Sequence, residues 1–240
     1  MAGGLQALTG LDQEGNGVRK VTAAAMTASA FTAPHVTEFV TVDVTRSLNL
    51  VDKLKVHPAF EGSKLTVLLL VARALLAALR EHPAINASWD EAAQEIVLHH
   101  DVNLGIAAAT PRGLIVPNVN DAGALTLPQL AEALTGLVNT ARAGKTPPPA
   151  MAHGTVTITN IGVFGVDTAT PILNPGEAAI LCIGAVRRTP WEHKGAVALR
   201  STMQLALSFD HRLVDGDLGS RVLARVARIL EDPRWELLLT

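Results

Sequence analysis

The spacing of hydrophobic and polar positions changes several times along the chain, and each change marks an element. Residues 18–30, "VRKVTAAAMTASA", are Ala-rich and helix-prone, and Pro34 stops the run. "HVTEFVTVDV" then alternates, with Val36, Val40, Val42 and Val44 on one face and Thr37, Thr41 and Asp43 on the other. That is the pattern of a half-buried strand. "TRSLNLVDKLKVH" and "KLTVLLLVARALLAALREH" return to helical spacing, the second closed by Pro83. "NLGIAAAT" and "GLIVPNV" read as strands flanking the turn "PRG", a candidate hairpin. "TLPQLAEALTGLVNTARAG" is an amphipathic helix, with Thr126 as N-cap and Gly144 past its end. The proline-rich "AGKTPPPAMAHG" then reads as a surface connection.

The last third is strand-rich. "TVTIT" and "AAILCIGAV" bracket the loop "NIGVFGVDTATPILNPGE", and "ALRSTMQLALSFD" follows as a long strand with Leu205, Leu207 and Phe209 on one face. "DLGSRVLARVARILED" closes as a helix with Leu218, Val222, Val226, Ile229 and Leu230 at helical spacing, and Arg221, Arg225 and Arg228 on a solvated face. Strands and helices do not alternate strictly. The expected fold is therefore α/β of the α+β two-layer kind, a mixed sheet with helices packed on it, rather than a doubly wound sheet. Nothing marks a second domain. Residues 1–17 read as a linker or remnant segment, and 18–240 as one domain.

Composition narrows the function. Only 18% of residues are charged while 48% are apolar, lean enough in charge that partner chains are expected to cover apolar surface. The net charge of −2 argues against nucleic-acid or anionic-membrane binding. The longest apolar run, Leu65–Leu79, is too short to span a bilayer and contains Arg73. The opening residues lack the basic start and apolar segment of a secretory signal. Cys182 is the single cysteine, so no internal disulfide forms; a reducing compartment and a small core residue are expected. His99, His100 and Asp101 lack the further ligands of a metal site and read as a solvated turn.

The chemistry concentrates in "SFDHRLVDGDLG", residues 208–219. Histidine titrates nearest neutrality, so His211 can take a proton and return it. Asp215, four positions on, can orient the imidazole or tie down the turn. Gly216 would permit a positive φ before the helix, and Asp217 suits the helix's positive end. Asp210 and Arg212 read as structural.

The "DHRLVDG" turn occurs together with "PHVTEFVTVDVT", "INASWD", "NLGIAAATPRGLIVPNV", "GTVTITNIGVFGVDTATPILNPGEAAIL" and "LEDPRWELLL". In that set the chain resembles the catalytic domain of dihydrolipoyl acyltransferases of 2-oxoacid dehydrogenase complexes, distant relatives of chloramphenicol acetyltransferase. The resemblance implies that His211 is the general base that deprotonates the thiol of dihydrolipoamide or coenzyme A. It gives Thr159 the role of oxyanion donor and Asp215 that of support. It carries Thr66, Asn160 and Gly184 over as coenzyme A contacts, with no metal. Some relatives have an aspartate where this chain has Ala109, which leaves the nucleotide-end contacts open. Arg19 would pair with a motif aspartate.

The resemblance also implies a homotrimer whose sites lie between subunits, His211 of one chain facing Thr159 of the next, and a larger cage docked through the "WELLLT" ending. The lipoyl group would be carried on a separate lipoyl domain, and the decarboxylase and dihydrolipoamide dehydrogenase components would be partners. The segments look most like bacterial branched-chain enzymes, with acetyl and then succinyl transfer as alternatives, and an inactive scaffold as a rival of another class. Fourteen arginines against six lysines suggest a GC-rich bacterial genome and hence a cytoplasmic complex.

Overall fold

A computed structural model describes residues 15–110 and 113–234. The chain enters as helix α1 (Gly15–Thr32), which begins inside the stretch expected to be linker, a boundary that no cap residue marks in the sequence. Pro34 ends it, and β1 (His35–Asp43) follows with α2 (Thr45–Leu54) and α3 (Val67–Glu81). Two small hairpins come next: β2 (Ala87–Asp90) with β3 (Glu95–Leu98), and β5 (Ala108–Thr110) with β6 (Gly113–Ile115), the latter preceded by β4 (Leu104–Ile106). The tip of the second hairpin, the expected "PRG" turn, falls partly outside the described residues. After β7 (Asn118–Val119), α4 (Leu127–Arg142) starts as anticipated, with the Thr126 N–H donating to Gln129 Oε1 at 2.9 Å. The remainder is β8 (Val156–Asn160), β9 (Ala179–Ile183), β10 (Arg187–His193), β11 (Ala196–Asp210) and α5 (Gly216–Glu231).

The main sheet has the order β1-β11-β9-β8-β4-β7, with β10 paired to the first half of β11. β8 runs parallel to both β9 and β4, and the other pairs are antiparallel, so the sheet is mixed as expected. Residues opposed across strands share a face. Leu205, Leu207 and Phe209 lie opposite Ile183, Leu181 and Ala179, and with Val156 and Ile158 they meet α2–α5 in one continuous core. Each fully buried side chain of this size contributes about 1.5–3 kcal/mol, which makes the helical face the main source of stability.

The other face is more polar. Thr37 and Ser208 share a 2.7 Å hydrogen bond, and Thr157 and Cys182 are buried among them. Part of this face is covered by the loop 161–178, whose Asn174 Nδ2 donates to Thr157 Oγ1 at 2.8 Å, and α1 touches that loop through its last turn. Ala33, Leu173 and Ile180 form a small apolar cluster, and Ser29 Oγ donates to the Leu173 carbonyl at 2.7 Å. Cys182 is a buried free cysteine, as its apolar run indicated. On α5 the expected solvated arginine face is only partly so. Arg225 makes two-pronged bonds to Glu81 of α3, with Arg225 Nη2 2.6 Å from Glu81 Oε1, and holds that carboxyl below its ordinary range.

Candidate active site

His211 sits where β11 has just ended and α5 has not begun, and five contacts fix that turn. Asp210 is buried, and Arg212 folds back on it with Nη2 2.7 Å from Oδ2 and Nε 3.0 Å from Oδ1. The Arg212 guanidinium also lies 5.6 Å from the ring centre of Trp89 on β2. The Asp210 carbonyl accepts from the N–H groups of Leu213 and Val214, and Val214 is fully buried. Asp215 is the N-cap of α5, its Oδ1 accepting the Leu218 N–H at 2.8 Å. Gly219 lets α5 come this close, because a Cβ there would run into the Phe209 ring.

Two expectations change at this turn, and a third narrows. Of the two roles open to Asp215, the structure shows the one that ties down the turn, its Oδ1 capping α5. Gly216 is the first residue of α5 and does not have a positive φ. Asp210 is held by Arg212, two residues away, and Arg19 is exposed on α1 instead of pairing with either motif aspartate. Asp217 lies in the first turn of α5 and bonds Arg221 one turn on.

The His211 side chain itself is exposed. Its backbone N–H donates to the Pro34 carbonyl at 2.8 Å, and its ring tilts against Phe209 with centroids 6.1 Å apart. Among the described residues its ring nitrogens have no hydrogen-bond partner. It is a fixed backbone carrying an imidazole open to solvent.

Thr159 is placed elsewhere. It lies opposite Cys182 on β8, while Phe209 lies in the row of Ala179 and Val156. Three strand positions and two strand spacings therefore put roughly 14 Å between the Thr159 and Phe209 backbones, with His211 two residues farther off. Asn160 follows Thr159 at the end of β8, its Oδ1 accepting from the Gly162 N–H at 3.1 Å. Gly184 directly follows β9, where the Asp167 carbonyl leaves no room for a Cβ. Close backbone packing accounts for that glycine, and it is buried. Thr66 is the exposed N-cap of α3 with no capping bond from its hydroxyl, and Ala109 is exposed on β5. Thr159, Asn160 and Gly184 thus gather at one end of the sheet and His211 with Asp215 at the other. A single subunit does not bring them together.

Two residues near the turn carried no role in the sequence reading. Glu177 is buried one position before Ala178, whose carbonyl accepts the Asp210 N–H. Its Oε1 accepts from Thr157 Oγ1 at 2.9 Å and Asn174 Nδ2 at 3.3 Å, and burial pushes its pKa up to about 7. It lines a cavity of about 1100 Å³ together with Trp89, His99, Asn103, Asn118 and Asn174. The other residue is His35, opposite Asp210 at the start of β1. Both belong to the quoted segments "PHVTEFVTVDVT" and "NPGEAAIL", and the histidine after a proline was the available signal. Among the described residues no group of three or more His, Cys, Asp and Glu side chains is placed to hold a metal, and no helix is long and apolar enough to cross a membrane. The "WELLLT" ending lies outside the described residues.

Comparison with known proteins fits this geometry. Residues 11–239 match the model of the 2-oxoacid dehydrogenases acyltransferase (catalytic domain) family. The dihydrolipoyllysine-residue acetyltransferase component of the pyruvate dehydrogenase complex of Bacillus subtilis is 39% identical over 223 residues, covering 93% of this chain and 50% of that protein. The chain thus spans about half the length of the curated relatives it matches. Among solved structures, the dihydrolipoamide acetyltransferase of Azotobacter vinelandii superposes with a TM-score of 0.86 at 32% identity, covering 91% of this chain and 90% of that one. The cubic core of a pyruvate dehydrogenase multienzyme complex gives the same TM-score, identity and coverage. Chloramphenicol acetyltransferase, at 13% identity, a TM-score of 0.58 and coverage of 86% and 94%, shares the fold. The chain belongs to the family of 2-oxoacid dehydrogenase acyltransferase catalytic domains.

Proposed function

We propose that this domain transfers an acetyl group between coenzyme A and a dihydrolipoyl thiol, with His211 as general base and Thr159 of a neighbouring subunit as oxyanion donor. The observation that carries the proposal is His211 itself: an exposed imidazole on a turn rigidly held by the Asp210–Arg212 pair and the Asp215 cap. Its chemistry follows from that placement. The ring takes the thiol proton, the thiolate attacks the thioester carbon, and the carbonyl oxygen gains negative charge. The Thr159 hydroxyl meets that charge, a contribution of about 3–4 kcal/mol to the transition state for one well-placed donor. The tetrahedral intermediate then collapses, expelling the second thiolate, which takes the proton back from His211.

The Azotobacter vinelandii enzyme supports the assignment residue by residue. A serine, a histidine and an asparagine were investigated there for roles in the catalytic mechanism. The interval from that serine to that histidine equals the one from Thr159 to His211, and the asparagine follows at the interval of Asp215. The separation of Thr159 from His211 within one chain supports a site shared between subunits, and the likeness to the cubic core of a pyruvate dehydrogenase complex supports reading the assembly as a trimer within a cage. Thr66 and Asn160 remain the proposed coenzyme A contacts, both presenting polar side chains at element ends. Gly184 contributes backbone shape only. The lipoyl group would arrive on a separate domain, beside the decarboxylase and dihydrolipoamide dehydrogenase partners.

The pyruvate-complex relatives favour acetyl transfer over the branched-chain reaction that the sequence segments had suggested first. Steady-state rates with acetyl-, isobutyryl- and succinyl-coenzyme A as donors to dihydrolipoamide test this. Acetyl should have the highest kcat/KM. Preference for isobutyryl would restore the branched-chain reading, and no turnover with any donor would favour an inactive scaffold.

A further inference from the structure

We propose that His35 is a positioning residue for His211, acting as a neutral clasp on the peptide segment that receives the His211 N–H. The inference rests on the reading of His211 as the base. Leu173 N–H donates to His35 Nε2 at 3.0 Å, and His35 Nδ1 lies 2.7 Å from the Ala33 carbonyl. A backbone N–H can only donate, so Nε2 carries the lone pair; a carbonyl can only accept, so Nδ1 carries the hydrogen. Chemistry alone fixes the tautomer. The ring is uncharged, and both nitrogens are used, so His35 has no proton to offer the reaction.

What it does is mechanical. Pro34 stands between Ala33, whose carbonyl the ring bonds, and His35, which carries the ring, and the Pro34 carbonyl is the acceptor for the His211 N–H at 2.8 Å. The proline ring fixes φ, and the Nδ1–Ala33 bond closes a small loop around the Pro34 peptide, so the direction of its carbonyl is set. The far end of the clasp is equally firm. Leu173 is 1% exposed, packs on Ala33 and Ile180, and has its own carbonyl bonded by Ser29 Oγ at 2.7 Å. The Asp210–Arg212 pair grips the turn from one side of the histidine, and the clasp grips the His211 amide itself. Loss of the clasp would let the imidazole drift, and misplacement of about 1 Å can cost on the order of a hundredfold in rate.

The test is steady-state kinetics on the assembled protein with acetyl-coenzyme A and dihydrolipoamide. His35→Phe keeps a ring and removes both bonds; kcat should fall by about ten- to a hundredfold while KM for each substrate stays within about twofold, the split expected of a group acting on the transition state alone. His35→Gln returns an acceptor for Leu173 N–H and should recover kcat to within about threefold of the parent. If the Phe variant does not fold, His35→Asn serves instead. It keeps a donor for Ala33 but falls short of Leu173, and kcat should drop at least about threefold. Unchanged kcat in the Phe or Asn variant, or a Gln variant no better than Phe, overturns the proposal. His211→Ala is run in parallel. Near-normal turnover there refutes the general-base reading and takes this inference with it, whereas a collapsed His211 variant beside unaffected His35 variants refutes the inference alone.

Discussion

Replacing Glu177 with glutamine should make the protein more stable at alkaline pH and leave it nearly unchanged in acid. Glu177 is 7% exposed, its Oε1 accepts two hydrogen bonds, and its buried Oε2 has no partner among the described residues. Burial raises its pKa from 4.5 to about 7, against the downward pull of Thr157 and Asn174. The folded state therefore keeps a proton that the unfolded chain has already released. Below about pH 4.5 both states are protonated and the carboxyl costs nothing. Between there and about pH 7 stability falls as pH rises, because the native state binds more protons than the unfolded one. Above that range the full penalty is present, about 3 kcal/mol for a shift of this size. Glutamine keeps the Oε1 acceptor and has no proton to lose. Urea unfolding of parent and Glu177→Gln at about pH 5 and pH 8.5 measures this, at one protomer concentration because assembly shifts apparent stability. The advantage of the variant should grow by about 2–3 kcal/mol between the two pH values. A difference that does not change with pH would mean that Glu177 titrates like an exposed carboxylate, and the burial argument would fail.

Three further outcomes follow from the turn and the sheet. Asp215→Ala should lose the α5 cap and about 1 kcal/mol of stability in chemical unfolding, while Asp215→Asn should retain both stability and turnover. Arg212→Met should cost about 3 kcal/mol, because it leaves the Asp210 carboxylate buried without its partner; the loss should shrink when Asp210 is also changed to Asn. Thr159→Val should lower kcat by about a hundredfold with coenzyme A affinity unchanged by equilibrium titration, and an affinity loss at normal kcat would remove the oxyanion role.

Most of the elements could be read from periodicity, because the long strands and helices each bury one face. The alternation of Val36, Val40 and Val42 gave β1 its orientation, and the spacing of Val222, Val226 and Ile229 gave α5 its buried side. The turn chemistry was harder to read. Whether Asp215 faces the imidazole or the helix depends on one rotamer, and the cap won because four backbone N–H groups at a helix start need acceptors. Gly216 was misread because a glycine before a helix suggests a turn, whereas the open position was needed one turn later, at Gly219 under Phe209. Arg225 was misread as solvated because its partner Glu81 lies in another helix, and pattern within one helix cannot reveal that. The roles of His35 and Glu177 are hidden for the same reason: their partners, Leu173 and Thr157, lie on other elements, and the Pro-His pair marks His35 without showing what it binds.

The polar face of the sheet explains why these residues belong together. A sheet whose second face met only solvent would tolerate Thr37, Thr157 and Ser208 at no cost, but here Thr157 and Ser208 are buried, and the loop 161–178 packs on Thr157 through Asn174 and Glu177. Once covered, each polar group must find a partner, and the partners are fixed: Thr37 with Ser208, Thr157 with Glu177, Leu173 with His35 and Ser29. The loop that does the covering leaves β8 beside Asn160, passes Asp167 against Gly184, and returns through Leu173 and Glu177 to the row of Asp210. It therefore touches both ends of the sheet. On the shared site proposed above, a subunit built this way would carry the Thr159 end and the His211 end on one sheet, joined by a loop whose polar contacts are made within the chain. In a closed ring of such subunits every half-site would be used, and the paired polar face of each sheet would hold its two halves in register.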